Sequence, residues 1–137
     1  MKPIIRLATR DDLDGLLRCA RAFHAEDGHP LPAAGEAALT ALLDSNSPHG
    51  RVVVLDVAGE IAGYAALCFG YSIEFGGRDA FVDDLYVTPE WRGKKFGGRL
   101  MRAVEELARD SGCRALHLEV FTGNPMAEWY KSLGFEA

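Results

Sequence analysis

Between Trp91 and Leu100 the chain places Arg92, Gly93, Lys94, Lys95, Phe96, Gly97 and Gly98 in one uninterrupted run. Basic side chains bring positive charge, and glycines remove the Cβ atoms that would hold a bulky anion off the main chain. If a helix starts here, its first N–H groups lack intrahelical partners and lie at the positive end of the helix dipole. The chemistry on offer is a cradle for a phosphate or pyrophosphate. The same composition also fits a basic surface turn leading into a flexible helix start. Two familiar cradles are excluded, because no Gly-Lys-Ser/Thr ends a P-loop and no Gly-x-Gly-x-x-Gly opens a dinucleotide unit.

Such a cradle needs a strand to deliver the chain and a helix to carry it away. Phe81, Val82, Leu85, Tyr86 and Val87 give the segment before it strand character, and Pro89 stops it. Leu100, Met101, Val104, Leu107 and Ala108 recur at helical spacing, with Ser111-Gly112 as the stop. Upstream, Ile4, Ile5 and Leu7 predict a first strand, and Thr9 with Asp12 resembles an N-terminal cap. Leu13, Leu16, Leu17, Ala20 and Phe23 then form the core face of a helix. A Gly/Pro-punctuated loop at 27–30 precedes a second short helix over 36–43. Residues 51–57 and 60–68 read as a hairpin about Ala58-Gly59, and 69–78 as a polar connection. After the long helix, 115–121 reads as a strand and 125–133 as a short helix. The order β-α-α-β-β-β-α-β-α, with apolar strands interrupted by helices, predicts an α/β (α+β) sheet covered on both faces.

A chain of 137 residues, 48% hydrophobic, is expected to form a single domain over 1–137. No apolar run approaches a membrane span, and the N-terminus moves straight into a strand pattern without a secretory signal, so the expected location is cytoplasmic. The formal net charge of −5 argues against nonspecific nucleic-acid binding. An acidic chain with a local basic cradle fits a polyanionic cofactor and a cationic second substrate. Cys19, Cys68 and Cys113 include no Cys-x-x-Cys pair and sit in apolar segments, as buried reduced thiols do. His24, His29, His49 and His117 show no ligand spacing, so no metal is expected.

Two motifs now stand in order. Asp83-Asp84-Leu85-Tyr86-Val87 with Arg92-Gly93-Lys94-Lys95-Phe96-Gly97 comes first, then Leu116-His117-Leu118-Glu119-Val120 with Asn124, Ala127, Tyr130 and Gly134-Phe135. Together they resemble the GCN5-related N-acetyltransferase (GNAT) superfamily, and its diamine acetyltransferase-like branch more than its protein-acetylating one. The resemblance implies a mixed, mostly antiparallel central sheet with helices on both faces. It implies a cofactor cleft where two parallel strands, those of 85–87 and 116–120, splay apart. Acetyl-CoA would be the acyl donor. Its pyrophosphate would lie on Arg92, Gly93, Lys94, Lys95, Phe96, Gly97 and Gly98, and its pantetheine arm beside Leu85, Tyr86 and Val87. A main-chain N–H near Val87 would hold the oxyanion.

The family's catalytic residues carry over in the same way. Tyr130 takes the general-acid position. The base falls on Asp83 by likeness to the diamine branch and on Glu119 by likeness to the ribosomal-protein branch, with Glu74 a third candidate. Lys95 stands where the family has glycine, and a right-handed helical conformation is expected for it. Asn124 takes the cofactor-contacting asparagine position, but lies six residues before Tyr130 where the family has seven, an offset of about 100° on a helix. Gly123 is the alternative occupant. The family pattern continues past Gly134-Phe135 into another strand, so either the chain is truncated or that strand is missing, which would expose an edge that a homodimer could cover.

The function implied is transfer of the acetyl group of acetyl-CoA to a primary amine by direct attack in a ternary complex. A small cationic amine or polyamine would be the acceptor, met by the loops at 26–29 and 71–74. The alternatives are acetylation of protein N-termini or lysines, and a noncatalytic acyl-CoA-binding module.

Overall fold

The computed structural model describes residues 2–119, 124 and 126–136. Five strands run in the spatial order β1-β2-β3-β4-β5: β1 (Ile4–Leu7), β2 (Gly50–Val57), β3 (Glu60–Ser72), β4 (Gly77–Val87) and β5 (Leu116–His117). The first four pair antiparallel, and β5 alone lies parallel to its neighbour β4. The helices are α1 (Leu13–Glu26), α2 (Ala33–Ala41), α3 (Phe96–Asp110) and α4 (Ala127–Ser132). None is long and apolar enough to cross a membrane among the described residues.

Alternation along the strands supplies two cores. On one face Leu16, Cys19 and Ala20 of α1, with Leu39 of α2, close over Val52, Val54, Tyr64 and Tyr86. On the other, Leu100, Met101, Val104 and Ala108 of α3 close over Val53, Ala65, Leu67 and Ala80. Leu100, Met101 and Val104 are wholly buried, each stabilising the fold by about 1.5–3 kcal/mol through apolar burial. Thr9 and Asp12 form the expected capping box. The Arg6 guanidinium donates to both Asp12 oxygens at 2.8 Å and to Asp56 at 3.1 Å, locking β1, β2 and the start of α1 together. Those bonds hold the Asp12 carboxyl down to about 2.

The hairpin between β2 and β3 turns at Ala58-Gly59, both at positive φ, as the sequence implies. Two expectations are corrected. Residues 69–78 are mostly strand: β3 runs on to Ser72 and β4 begins at Gly77, with only 73–76 left as the turn. Tyr71, Ile73 and Phe75 are exposed here while Phe69 packs against the α3-side core, and the glycines at 70, 76 and 77 give the segment its loop-like composition; Arg78 stacks over Phe69 across the strands at 4.4 Å. The second helix covers Ala33–Ala41 rather than 36–43. Gly35 lies inside it because Leu31 fills the space beside it, where a Cβ would come within 2.7 Å of Leu31 Cδ1.

Candidate active site

β4 carries one residue more than β3 can match. Leu67 opposes Val82 and Ala66 opposes Asp84, leaving Asp83 as the extra residue of a bulge. Its effect is to reverse which edge of β4 each main-chain group addresses. Before the bulge, Ala80 N–H points to the β5 side and bonds Ala115 O. After it, Thr88 N–H bonds Ala62 O of β3, so Val87 and Leu85, out of phase with Thr88, turn theirs toward the opposite edge. There β5 no longer pairs: the parallel ladder holds only Ala80 to Leu116 and Phe81 to His117 among the described residues. Leu118 and Glu119 continue along the far side of the gap, and residues 120–121 lie outside the described ones.

The gap opens into a cleft of about 1260 Å³. It is lined by Asp83, Leu85, Tyr86, Val87, Arg92, Gly93, Lys95, Phe96, Gly97, Gly98, Glu119, Asn124 and Tyr130, all singled out from the sequence. Lys94 is not part of the lining; its ammonium sits 5.2 Å over the Trp91 ring. Glu74, at the hairpin tip, is also outside it.

α3 begins with neither a capping side chain nor an acidic residue in its first turn. Its first N–H groups and dipole are therefore uncompensated by the protein. A Cβ at Gly93 or Gly98 would meet nothing within 4 Å, so the loop borders open space. Lys95 corrects an expectation: it is left-handed, with φ 70° and ψ 14°, not right-handed. The chain must reverse from the Pro89–Trp91 turn into α3 at this residue, and a non-glycine there costs about 1–2 kcal/mol. Arg92 also differs from a simple phosphate ligand. Its Nε donates to Val87 O at 2.8 Å, and its Nη2 bridges to Glu26 at 2.9 Å, tying the loop to the end of α1.

On the α1 side the lining is acidic and hydrogen-bonded. Tyr64 OH donates to Asp84 Oδ2 at 2.7 Å, and His24 Nε2 lies 3.0 Å from the same oxygen. Tyr86 OH donates to Glu26 at 3.1 Å. Burial raises the half-buried Asp83 carboxyl above the ordinary range; the charges of Asp84 and Glu119 add to this, and His24 opposes it. Burial beside Asp84 pushes the Tyr64 phenol far up.

Tyr130 lines the cleft from α4, between Trp129 and Phe135, with ring centroids 5.1 and 6.3 Å away. Burial raises its phenol, which keeps the proton a general acid needs. Asn124 spends its side-chain oxygen on Met126 N–H at 2.8 Å, at the start of α4. Gly123 lies outside the described residues.

Sequence reading did not find His24, Arg99 or Arg102 as lining residues. No local pattern marks them. His24 meets β4 only through tertiary packing, and Arg99 and Arg102 read as the ordinary solvent face of an amphipathic helix.

The family description "Acetyltransferase (GNAT) family" matches residues 16–135. Thialysine N-epsilon-acetyltransferase of Sus scrofa is 34% identical over 113 residues, covering 82% of this chain and 55% of that protein. Its Bos taurus counterpart is 38% identical over 87 residues, 59% of this chain and 51% of that protein. The chain spans about half the length of these curated relatives. Among solved structures, an integron cassette protein from the mobile metagenome of Cole Harbour Salt Marsh superposes with a TM-score of 0.84 at 35% identity, over 97% of this chain and 83% of that one. AAC(6')-Iy in complex with a CoA bisubstrate analogue superposes at 0.83 over 100% of this chain and 92% of that one; at 20% identity the likeness is one of fold.

Proposed function

The chain belongs to the acetyltransferase (GNAT) family, and from that premise we propose that it transfers the acetyl group of acetyl-CoA to a primary amine of a small, multiply cationic molecule. The observation that carries this reading is the division of charge in the cleft. Asp27, Asp83, Asp84 and Glu119 come from the residue after α1, from β4 and from the segment after β5, whereas Lys95 immediately precedes α3 and Arg99 and Arg102 lie in its first two turns. The Glu26–Arg92 pair stands between the two sets. A polyanionic donor and a polycationic acceptor would each find opposite charge. The relatives named thialysine N-epsilon-acetyltransferase support a small-molecule amine as acceptor.

The residues present fit acetyl-CoA. The uncapped start of α3 and the open space at Gly93 and Gly98 suit its phosphates. The outward main-chain groups of Leu85, with the N–H of Val87, suit a pantetheine arm lying as an added strand. Val87 O is already engaged by Arg92, so the N–H is the group left for the oxyanion. Tyr130 would protonate the leaving thiolate. The acceptor needs help, since neutralising an alkylammonium at pH 7 costs roughly 4–5 kcal/mol. Asp83 and Glu119 would attract it, and a neighbouring base would take its proton.

The test is release of CoA thiol from acetyl-CoA by purified protein, screened against polyamines, thialysine, aminoglycosides and alanine-terminated peptides. Release with polyamines or thialysine, well above that with peptides, supports the proposal. Preference for peptides replaces the acceptor class, and binding of acetyl-CoA without release by any amine reduces the protein to an acyl-CoA-binding module.

A further inference from the structure

We propose that His24 is the base that takes the acceptor's proton, held in position by Asp84 and Tyr64; this deepens, and rests on, the acetyl-transfer reading above. The three side chains form a line from core to cleft. Tyr64 is wholly buried, the Asp84 side chain is 12% exposed and that of His24 26% exposed, and only the last two line the cleft. Asp84 Oδ2 receives the Tyr64 hydroxyl at 2.7 Å and the His24 Nε2 at 3.0 Å. An ionised carboxylate only accepts, so Nε2 carries the hydrogen and Nδ1 the lone pair. Nδ1 has no partner among the described residues and is not fully buried, and the His24 side chain lines the cleft.

The ring is also fixed sideways. Phe23 meets it edge-on at 5.1 Å and is itself packed against Tyr64 and Tyr86. Two residues on, Glu26 is held by Tyr86 and Arg92, so the last turn of α1 is pinned to β4 and its loop on both sides of the imidazole. The groups around His24 are Asp84 and Asp83 of β4, Glu119 across the gap, Tyr64 of β3, and Glu26 and Asp27 at the end of its own helix, with Arg92 paired to Glu26. Imidazole is a closer match to an alkylammonium than a carboxylate is, by about two units of ordinary pKa. Asp83 is then free to hold the ammonium rather than deprotonate it.

The step balances as follows. The ammonium gives one proton to Nδ1, and its nitrogen lone pair forms the C–N bond while the thioester π pair moves to oxygen. Collapse re-forms C=O and breaks C–S, and the thiolate takes the Tyr130 hydroxyl proton. The second nitrogen proton restores Tyr130 through water, and the imidazolium discharges to solvent. Ammonium and acetyl-CoA become amide, CoA thiol and one proton.

His24→Gln tests this, because glutamine keeps an N–H donor for Asp84 but offers no base. With the best acceptor from the thiol-release screen, kcat should fall about 100-fold, with acetyl-CoA affinity and thermal midpoint close to wild type. The loss of wild-type activity as acid protonates the imidazole should disappear from the variant's pH profile. Activity within about threefold of wild type with that acid limb intact would overturn the proposal, leaving His24 as a strut between α1 and β4. If His24→Gln loses its fold, Tyr64→Phe reads the same line from behind. Removing the hydroxyl takes one of the two donors from the carboxylate that holds the ring, which should shift the acid limb; an unmoved limb overturns the proposal. A wild-type protein with no amine-dependent release would refute the acetyl-transfer reading and the base with it, whereas an indifferent His24→Gln in an active enzyme refutes the base alone.

Discussion

On the α3 side of the cleft, the loop offers main-chain groups, namely helix-start N–H groups and glycines without Cβ atoms, framed by the cationic side chains of Lys95, Arg99 and Arg102. On the α1 side the groups are side chains wired to one another, Tyr64 to Asp84 to His24, and Tyr86 to Glu26 to Arg92. A backbone cradle suits a ligand part that every member of a family shares, since backbone is common to all sequences. A side-chain network suits the part that differs, since each residue can be exchanged.

Gly98→Asp breaks the cradle alone and carries the largest expected effect. Its Cβ enters open space, and an acid in the first helical turn should raise stability by about 0.3–1 kcal/mol. The same carboxylate would stand where the phosphates bind, so acetyl-CoA affinity by calorimetry should fall at least about 100-fold, or about 2.7 kcal/mol. Tyr130→Phe should leave affinity for both substrates within about twofold and lower kcat about 50- to 100-fold, since it removes a proton and no binding contact. Glu26→Gln sharpens the other side. The carboxylate that ties Arg92 to α1 is neutralised, so the KM for a diamine and the Kd for acetyl-CoA should both rise by a factor of about two to five, a loss of about 0.5–1 kcal/mol. The smallest effect separates strain from charge at Lys95. Lys95→Gly should stabilise the protein by about 1 kcal/mol in urea unfolding by relieving the left-handed conformation, whereas Lys95→Ala should not; both should weaken acetyl-CoA binding by the same few-fold factor.

How far each region was legible in the sequence follows the same division. The cradle is contiguous, so its residues, the strand before it and the helix after it were readable together. A lysine ordinarily adopts a right-handed conformation, and the requirement for positive φ at Lys95 belongs to the turn, not to the residue. Asp83 and Asp84 were legible as a pair, but the bulge that separates their surroundings depends on register with β3. His24 is 60 residues from Asp84 in sequence, and no spacing rule joins them. The hairpin end at 69–78 resembles a loop in sequence because Gly70, Gly76 and Gly77 interrupt the strand pattern, whereas its pairing is set by register between β3 and β4.

The central claim is that donor and acceptor occupy opposite sides of one opening and react directly. Initial rates of CoA thiol release, measured over a grid of acetyl-CoA and acceptor concentrations, test it most directly. Intersecting double-reciprocal lines, with product CoA competitive against acetyl-CoA and not against the acceptor, are the predicted result. Parallel lines, the signature of an acetylated enzyme that releases CoA before the amine binds, would contradict it.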